Sequence, residues 1–177
     1  MKILVVSALF PPDVADPAPY IKELAGRLKA AGHAVTVLTY GTIPEAVENV
    51  SIIAVSKQLA APARLLNFTR QLLKLGRQHD VILINNAPST GLPLILTSPL
   101  LKYKSYLLIS DTKINYTGWR KALNTVEQKN VHKIITIDLP EPRPEHHPFH
   151  PPSDQALAHY ESSWKKHLQT LTATFSL

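Results

Sequence analysis

Cysteine is absent from the 177-residue chain. That excludes a disulfide framework, a thiolate metal site and a cysteine nucleophile, and it suits a reducing compartment. No G-x-G-x-x-G follows the first apolar run, and no acidic residue closes the second, which ends Leu38-Thr39-Tyr40-Gly41-Thr42. An NAD-binding Rossmann domain wants both, one to approach the pyrophosphate and one to hold the ribose. A Walker A loop and a G-x-S-x-G elbow are missing too. Ser89, Asp111 and a histidine have no spacing that supports a catalytic triad. The formal charge of +6 is not gathered into a dense Lys/Arg block, so no nucleic-acid partner is expected. Most of these charges read as solvated surface. No segment reaches the roughly 20 apolar residues of a membrane helix.

What is present is a core. Hydrophobic residues make up 45% of the chain and charged residues 18%, which fits one ordinary domain. The opening "MKILVVSALFPP" places one Lys before eight apolar or small residues. That run is short for a signal peptide, and Pro11, Pro12 and Asp13 end it without a small-x-small site. A first buried strand is the better reading.

Apolar, β-branched runs recur: "KILVVSALF", "AVTVLTY", "VSIIAVS", "DVILINN", "SYLLIS" and "KIITIDL". Between them lie helical patterns. Asp16 is expected to cap the first helix, with Pro17 at its first position, and Ile21, Leu24, Ala25 and Leu28 share one face. Gly32 is expected to end it in a left-handed conformation. A second helix is expected from Pro62 to Gln78 with Leu65, Leu66, Leu72 and Leu73 facing inward. A third is expected to start near Thr90 and to be disturbed by Pro99, and a fourth covers "KALNTVEQKNVH". Strand and helix in alternation predict an α/β fold: a doubly wound, mostly parallel sheet of Rossmann-like type.

Residues 1–139 read as that domain and 140–153 as a linker. Six prolines between Pro140 and Pro152 keep the linker out of the sheet. His146, His147 and His150 lie within it; a tether explains them better than a metal site, because no carboxylate–histidine helix motif accompanies them. Residues 154–177 read as a helix capped by Ser153. Leu157, Tyr160, Trp164, Leu168, Leu171 and Phe175 step by three and four, an apolar stripe expected to dock on the sheet.

Ligands of a doubly wound sheet bind past the carboxyl ends of its strands. Those ends offer Phe10, Pro11, Pro12 and Asp13 after the first strand, Asn85 and Asn86 after the fourth, and Ser110 and Asp111 after the fifth. Amides and a carboxylate suit a hydroxyl-rich or phosphorylated ligand, and backbone N–H groups near Thr90 could receive an anion. Asn, Ser and Asp also cap helices and shape turns, and both readings stay open for Asn86 and Asp111. No metal or cofactor site is expected. Arg70, Lys74 and Arg77 share one helical face, either solvated or attracted to anionic lipid.

"MKILVVSALFPPDVADPAPYIKELAGRLKAAGHAVTVLTYG" resembles the opening of family 4-like GT-B glycosyltransferases, and the likeness continues through "HDVILINNAPSTGLPLILTSPLLKYKSYLLISDT" and "EQKNVHKIITID". It covers residues 1–139. "HYESSWKKHLQTL" is similar to the family's crossing helix, which leaves the donor domain and returns to the first. The resemblance implies the N-terminal, acceptor-side domain of a sugar transferase, with the donor-binding domain missing and the crossing helix attached. It implies a parent that moves a sugar from a nucleotide sugar to a sugar, lipid-linked or other hydroxyl acceptor with retained configuration. The chain would be inactive alone, an excised piece or a half-enzyme needing a separate donor-binding partner, and cytoplasmic or peripheral at a membrane. Two departures stand out: "DVADPAP" lacks the family's loop glycines, and Ser110 precedes Asp111 where the family often has histidine. The alternative is a non-enzymatic Rossmann-like module that binds a ligand or protein.

Overall fold

The structure is a computed structural model that describes residues 1–13, 17–101, 104–110, 118–137 and 153–175. Six strands form one parallel sheet in the order β3-β2-β1-β4-β5-β6. They are β1 (Lys2–Val6), β2 (Ala34–Tyr40), β3 (Ser51–Val55), β4 (Val81–Asn85), β5 (Lys104–Ser110) and β6 (Lys133–Ile137). The order reverses beside β1, which pairs with β2 on one side (Val5 opposite Val37) and β4 on the other (Val5 opposite Leu83). That reversal is the switch point of a doubly wound sheet, where a crevice opens past the strand ends. The described residues divide into two compact units, Met1–Ile109 with Lys113–Ile135, and Ser110–Thr112 with Thr136–Leu177.

The central strands lack an exposed face. Ile3, Leu4, Val5 and Val6 are all fully buried, as a strand covered by helices on both sides requires. Alternation sends Leu4, Val6, Leu38, Tyr40, Ile82 and Ile84 into one cluster, closed by Phe68, Leu72 and Leu75 of helix α2 (Ala61–Gly76) and Leu94 of α3 (Pro88–Thr97). Each fully buried aliphatic side chain contributes about 1.5–3 kcal/mol. Ile3, Val5, Val37 and Leu83 alternate to the other face, and α1 (Ala18–Ala30) lies against β2 with Ile21, Leu24, Ala25 and Leu28 buried. Helix α3 packs between α2 and α4 (Trp119–Lys129).

Several expected boundaries move, for one physical reason. Helix α1 starts at Ala18 with Pro17 as its N-cap residue, α2 at Ala61 and α3 at Pro88, and none has a side-chain cap. Each carries proline in its first two positions, where a missing N–H costs nothing. Pro19, Pro62 and Pro88 therefore set the starts. Asp16, the expected cap, lies outside the described residues. Helix α3 also ends at Thr97 and does not run through Pro99; it accommodates Pro93 instead. Gly32 has φ +87°, the left-handed stop predicted for α1. Helix α2 is rotated from the expected phase: Leu66 is 51% exposed, while Phe68 and Leu75 are buried.

In the second unit, α5 spans Asp154–Phe175, and Ser153 caps it by accepting the Ala156 N–H at 3.2 Å. Tyr160, Trp164, His167, Leu171 and Phe175 are its buried residues. His167 replaces the expected Leu168 in the stripe, its ring edge-on to Trp164 at 5.6 Å, and Leu157 is exposed. Among the described residues no helix is long and apolar enough to cross a membrane.

Candidate functional site

The parallel strands deliver their carboxyl ends to one edge of the sheet. Beyond β1 the chain turns tightly: Ser7 Oγ donates to the Leu9 carbonyl at 2.8 Å, and the Asp13 N–H reaches the Phe10 carbonyl at 3.1 Å. Phe10 and Pro11 are buried, so they anchor the turn; Pro12 is exposed and Asp13 half-buried. The Pro11–Pro12 peptide is cis. The Pro11 carbonyl accepts the Glu45 N–H at 2.8 Å, and Glu45 pairs with Lys22 of α1. Lys57, two residues past β3, donates to both Asp13 oxygens at 2.8 and 2.7 Å. The turn after β1 is thus fastened to the loop after β3.

A pocket of about 350 Å³ lies beside that fastening, lined by Ala8 and Leu9 after β1, Tyr40 at the end of β2, Lys57, Arg64 and Leu65 of α2, and Pro88, Ser89 and Leu92 of α3. Tyr40 organises it. Its ring stacks on Phe68 at 4.2 Å, and its hydroxyl donates to the Ser89 carbonyl at 3.0 Å. Arg64 sits 5.9 Å over the ring and donates to the Lys57 carbonyl at 3.2 Å. Burial pushes the Tyr40 phenol up to about 12, with Arg64 pulling the other way, so the hydroxyl keeps its proton and remains a donor. The walls are mainly apolar. Asp13 offsets the Lys57 charge, which leaves the Arg64 guanidinium to give the pocket its positive character.

The residues after β4 make local hydrogen bonds. Thr90 Oγ1 donates to the Asn85 and Ala87 carbonyls at 3.0 and 2.9 Å. Asn86 donates its side-chain N–H to Asn124 Oδ1 of α4 at 3.2 Å. Near Thr90, where an anion seat is expected, the Thr90 and Gly91 N–H groups both donate to the Ala87 carbonyl, at 3.0 and 2.9 Å. Ser110 ends β5; its side chain and Asp111 lie outside the described residues. The structure therefore brings Asp13 to the edge of the pocket through Lys57 and the β4 loop to its wall through Pro88 and Ser89, but it turns Asn86 toward α4.

One turn below Asn124 on α4, Glu127 is 1% exposed, and its Oε1 has no hydrogen-bond partner among the described residues. It packs against Gly91, where a Cβ would stand 2.5 Å from Oε2. Burial raises its carboxyl to about 8, so it is protonated at neutral pH. The sequence reading missed Tyr40, Lys57 and Arg64. Their signal was positional: Tyr40 ends β2, Lys57 follows β3 and Arg64 stands in the first turn of α2. Among the described residues no group of three His, Asp or Glu side chains could hold a metal ion. The histidines of the 140–153 segment lie outside them.

No family model and no curated protein sequence matches the chain. Solved structures do. A sucrose-phosphate synthase chain from Thermosynechococcus elongatus, designated 27_220_406_426, aligns over 97% of this chain and 99% of its own, with a TM-score of 0.51 and 12% identity. The C-terminal domain of the coenzyme A biosynthesis bifunctional protein CoaBC aligns over 76% of each chain, with a TM-score of 0.49 and 11% identity.

The fold is Rossmann-like.

At 12% identity the likeness to the sucrose-phosphate synthase chain carries the fold and nothing more. It agrees with the strand order read directly from the sheet.

Proposed function

We propose that the chain is the acceptor-binding half of a glycosyltransferase. The observation that carries this reading is the pocket at the carboxyl edge of the sheet, with Tyr40, Arg64 and the Lys57–Asp13 pair at its rim. Its apolar walls would take the face of a sugar ring or an aliphatic portion. Its polar groups would take hydroxyls, and its positive character suits a phosphorylated acceptor.

The likeness to a sucrose-phosphate synthase chain supports the reading as analogy of fold. The chain runs through six strands, then residues 138–153, then α5. In this reading a donor-binding domain is supplied by a partner. The complete enzyme transfers a sugar from a nucleotide sugar to a hydroxyl, with retained configuration by family analogy.

The reading is tested by turnover. An acceptor surface without a donor clamp lacks the positioning that makes a two-substrate reaction fast. The purified chain, offered nucleotide sugars and hydroxyl acceptors, is expected to form no glycoside above the rate without protein. Turnover by the chain alone would overturn the half-enzyme reading.

A further inference from the structure

Two cations line the pocket, Lys57 and Arg64, and no carboxylate does. They do not present the same charge to it. Arg64 donates one N–H to the Lys57 carbonyl at 3.2 Å and lies over the Tyr40 ring, and among the described residues no carboxylate pairs with it. A guanidinium has several further N–H donors, set in a planar fork that matches a phosphate. Lys57 is already committed. Its ammonium donates to both Asp13 oxygens, at 2.8 and 2.7 Å, so a negative charge stands against its positive one.

Asp13 is fixed there by its own turn. Its N–H reaches the carbonyl of buried Phe10 at 3.1 Å, and the neighbouring Pro11 carbonyl accepts the Glu45 N–H at 2.8 Å. The pair is open to solvent, with the Lys57 and Asp13 side chains 40% and 31% exposed. An ion pair in that setting adds little to the stability of the fold. Its larger effect is local: it cancels one of the two cations that line the pocket and leaves a carboxylate beside the rim.

We propose that Asp13 is a specificity-determining residue of this pocket, a fixed counter-ion of Lys57 that confines the site to ligands with a single phosphate group and turns away diphosphates. One unopposed guanidinium beside apolar walls holds one phosphate. A diphosphate needs a second free cation for its further charge and meets the Asp13 carboxylate instead. Specificity is a difference of affinities, and a repulsive group set against the wrong ligand is one way to build it. The proposal rests on the reading of this pocket as the acceptor site, and it gives that site a physical reason to refuse the diphosphate of a nucleotide sugar.

The test is an NMR titration of the full chain with inorganic phosphate, pyrophosphate and a neutral methyl glycoside, read at the amides of Ala8, Leu9, Tyr40 and Ser89. In the unsubstituted chain phosphate is expected to shift these amides, the shifts are lost in Arg64→Ala, and pyrophosphate has no advantage over phosphate. Asp13→Asn keeps the shape of the side chain and frees the Lys57 charge. It is expected to tighten pyrophosphate about fivefold, the worth of one surface ion pair, and phosphate by less. Lys57→Gln alone strands the Asp13 carboxylate and is expected to weaken both anions. In D13N/K57Q the pyrophosphate gain is expected to disappear, because the charge that Asp13→Asn released is gone. Circular dichroism checks that each variant is folded. Unchanged pyrophosphate affinity in Asp13→Asn, a gain that survives Lys57→Gln, or an equal gain for phosphate would each overturn the proposal and leave the acceptor reading standing. Shifts from the glycoside with none from either anion would do the same. If no probe shifts these amides in any variant, both fall.

Discussion

Replacing Gly91 by Ala sets two effects against each other. In an ordinary helix interior the change stabilises by about 1 kcal/mol, because glycine is the poorer helix former. Here the new methyl would stand 2.5 Å from Glu127 Oε2 and 2.8 Å from its Cδ, well inside contact distance. A carboxyl group is the far end of a flexible side chain, so the outcome turns on whether it has anywhere to go. Glu127 is 1% exposed and packs where α3 meets α4, so displacing it presses on both helices. Overpacking of that kind costs about 1–3 kcal/mol. The helix term and the clash partly cancel, and Gly91→Ala is expected to cost about 0–2 kcal/mol. Urea unfolding followed by circular dichroism gives the number. The double variant with Glu127→Ala removes the obstacle, so Gly91→Ala is expected to be neutral or stabilising in that background. A stabilising Gly91→Ala in the otherwise unchanged chain would refute the packing argument.

Glu127 also predicts a pH dependence. Its carboxyl is raised from 4.5 to about 8 in the folded state, so between those values the folded chain holds a proton that the unfolded chain has released. The stability it contributes is fully present below pH 4.5 and is lost as pH rises through about 8, at about 1.4 kcal/mol per unit within the window. Denaturant midpoints measured from pH 5 to pH 8, as approximate limits, should show this slope, and Glu127→Gln should remove it. Tyr40→Phe deletes the hydroxyl that bonds the Ser89 carbonyl while keeping the stack on Phe68, and a loss of about 1 kcal/mol is expected in the same unfolding assay. Trp164→Ala removes a side chain that is 3% exposed, and its unfolding midpoint should fall by the equivalent of about 3–5 kcal/mol. A midpoint within error of the unsubstituted protein would contradict its burial.

The strands were legible because a doubly covered parallel strand has a continuous apolar signature that little else shares, as "KILVV" and "VILI" illustrate. Helix starts were harder. The sequence offers both acidic or hydroxyl caps and early prolines, and this chain relies on the prolines, as Pro88 does ahead of Thr90. The phase of α2 was ambiguous because leucines occur around its whole circumference; only packing selects Phe68, Leu72 and Leu75 over Leu66. The pocket was least legible. Tyr40, Lys57 and Arg64 come from three segments, and a lone Lys or Arg in sequence is indistinguishable from a solvated charge. What selects them is the sheet edge that gathers them. Nothing in the sequence marks Glu127 as buried, and its burial depends on Gly91 leaving room for it.

The central claim is that the pocket at the carboxyl edge holds a hydroxyl acceptor and not a nucleotide sugar. Amide chemical-shift mapping by NMR tests it most directly, with a panel of sugars, sugar phosphates and nucleotide sugars titrated into the full chain. The account predicts saturable shifts from a sugar or sugar phosphate at Ala8, Leu9, Tyr40 and Ser89, lost in Arg64→Ala with the fold intact. Saturable shifts at those residues from nucleotide sugars alone, or acceptor shifts that map elsewhere and survive Arg64→Ala, would contradict it.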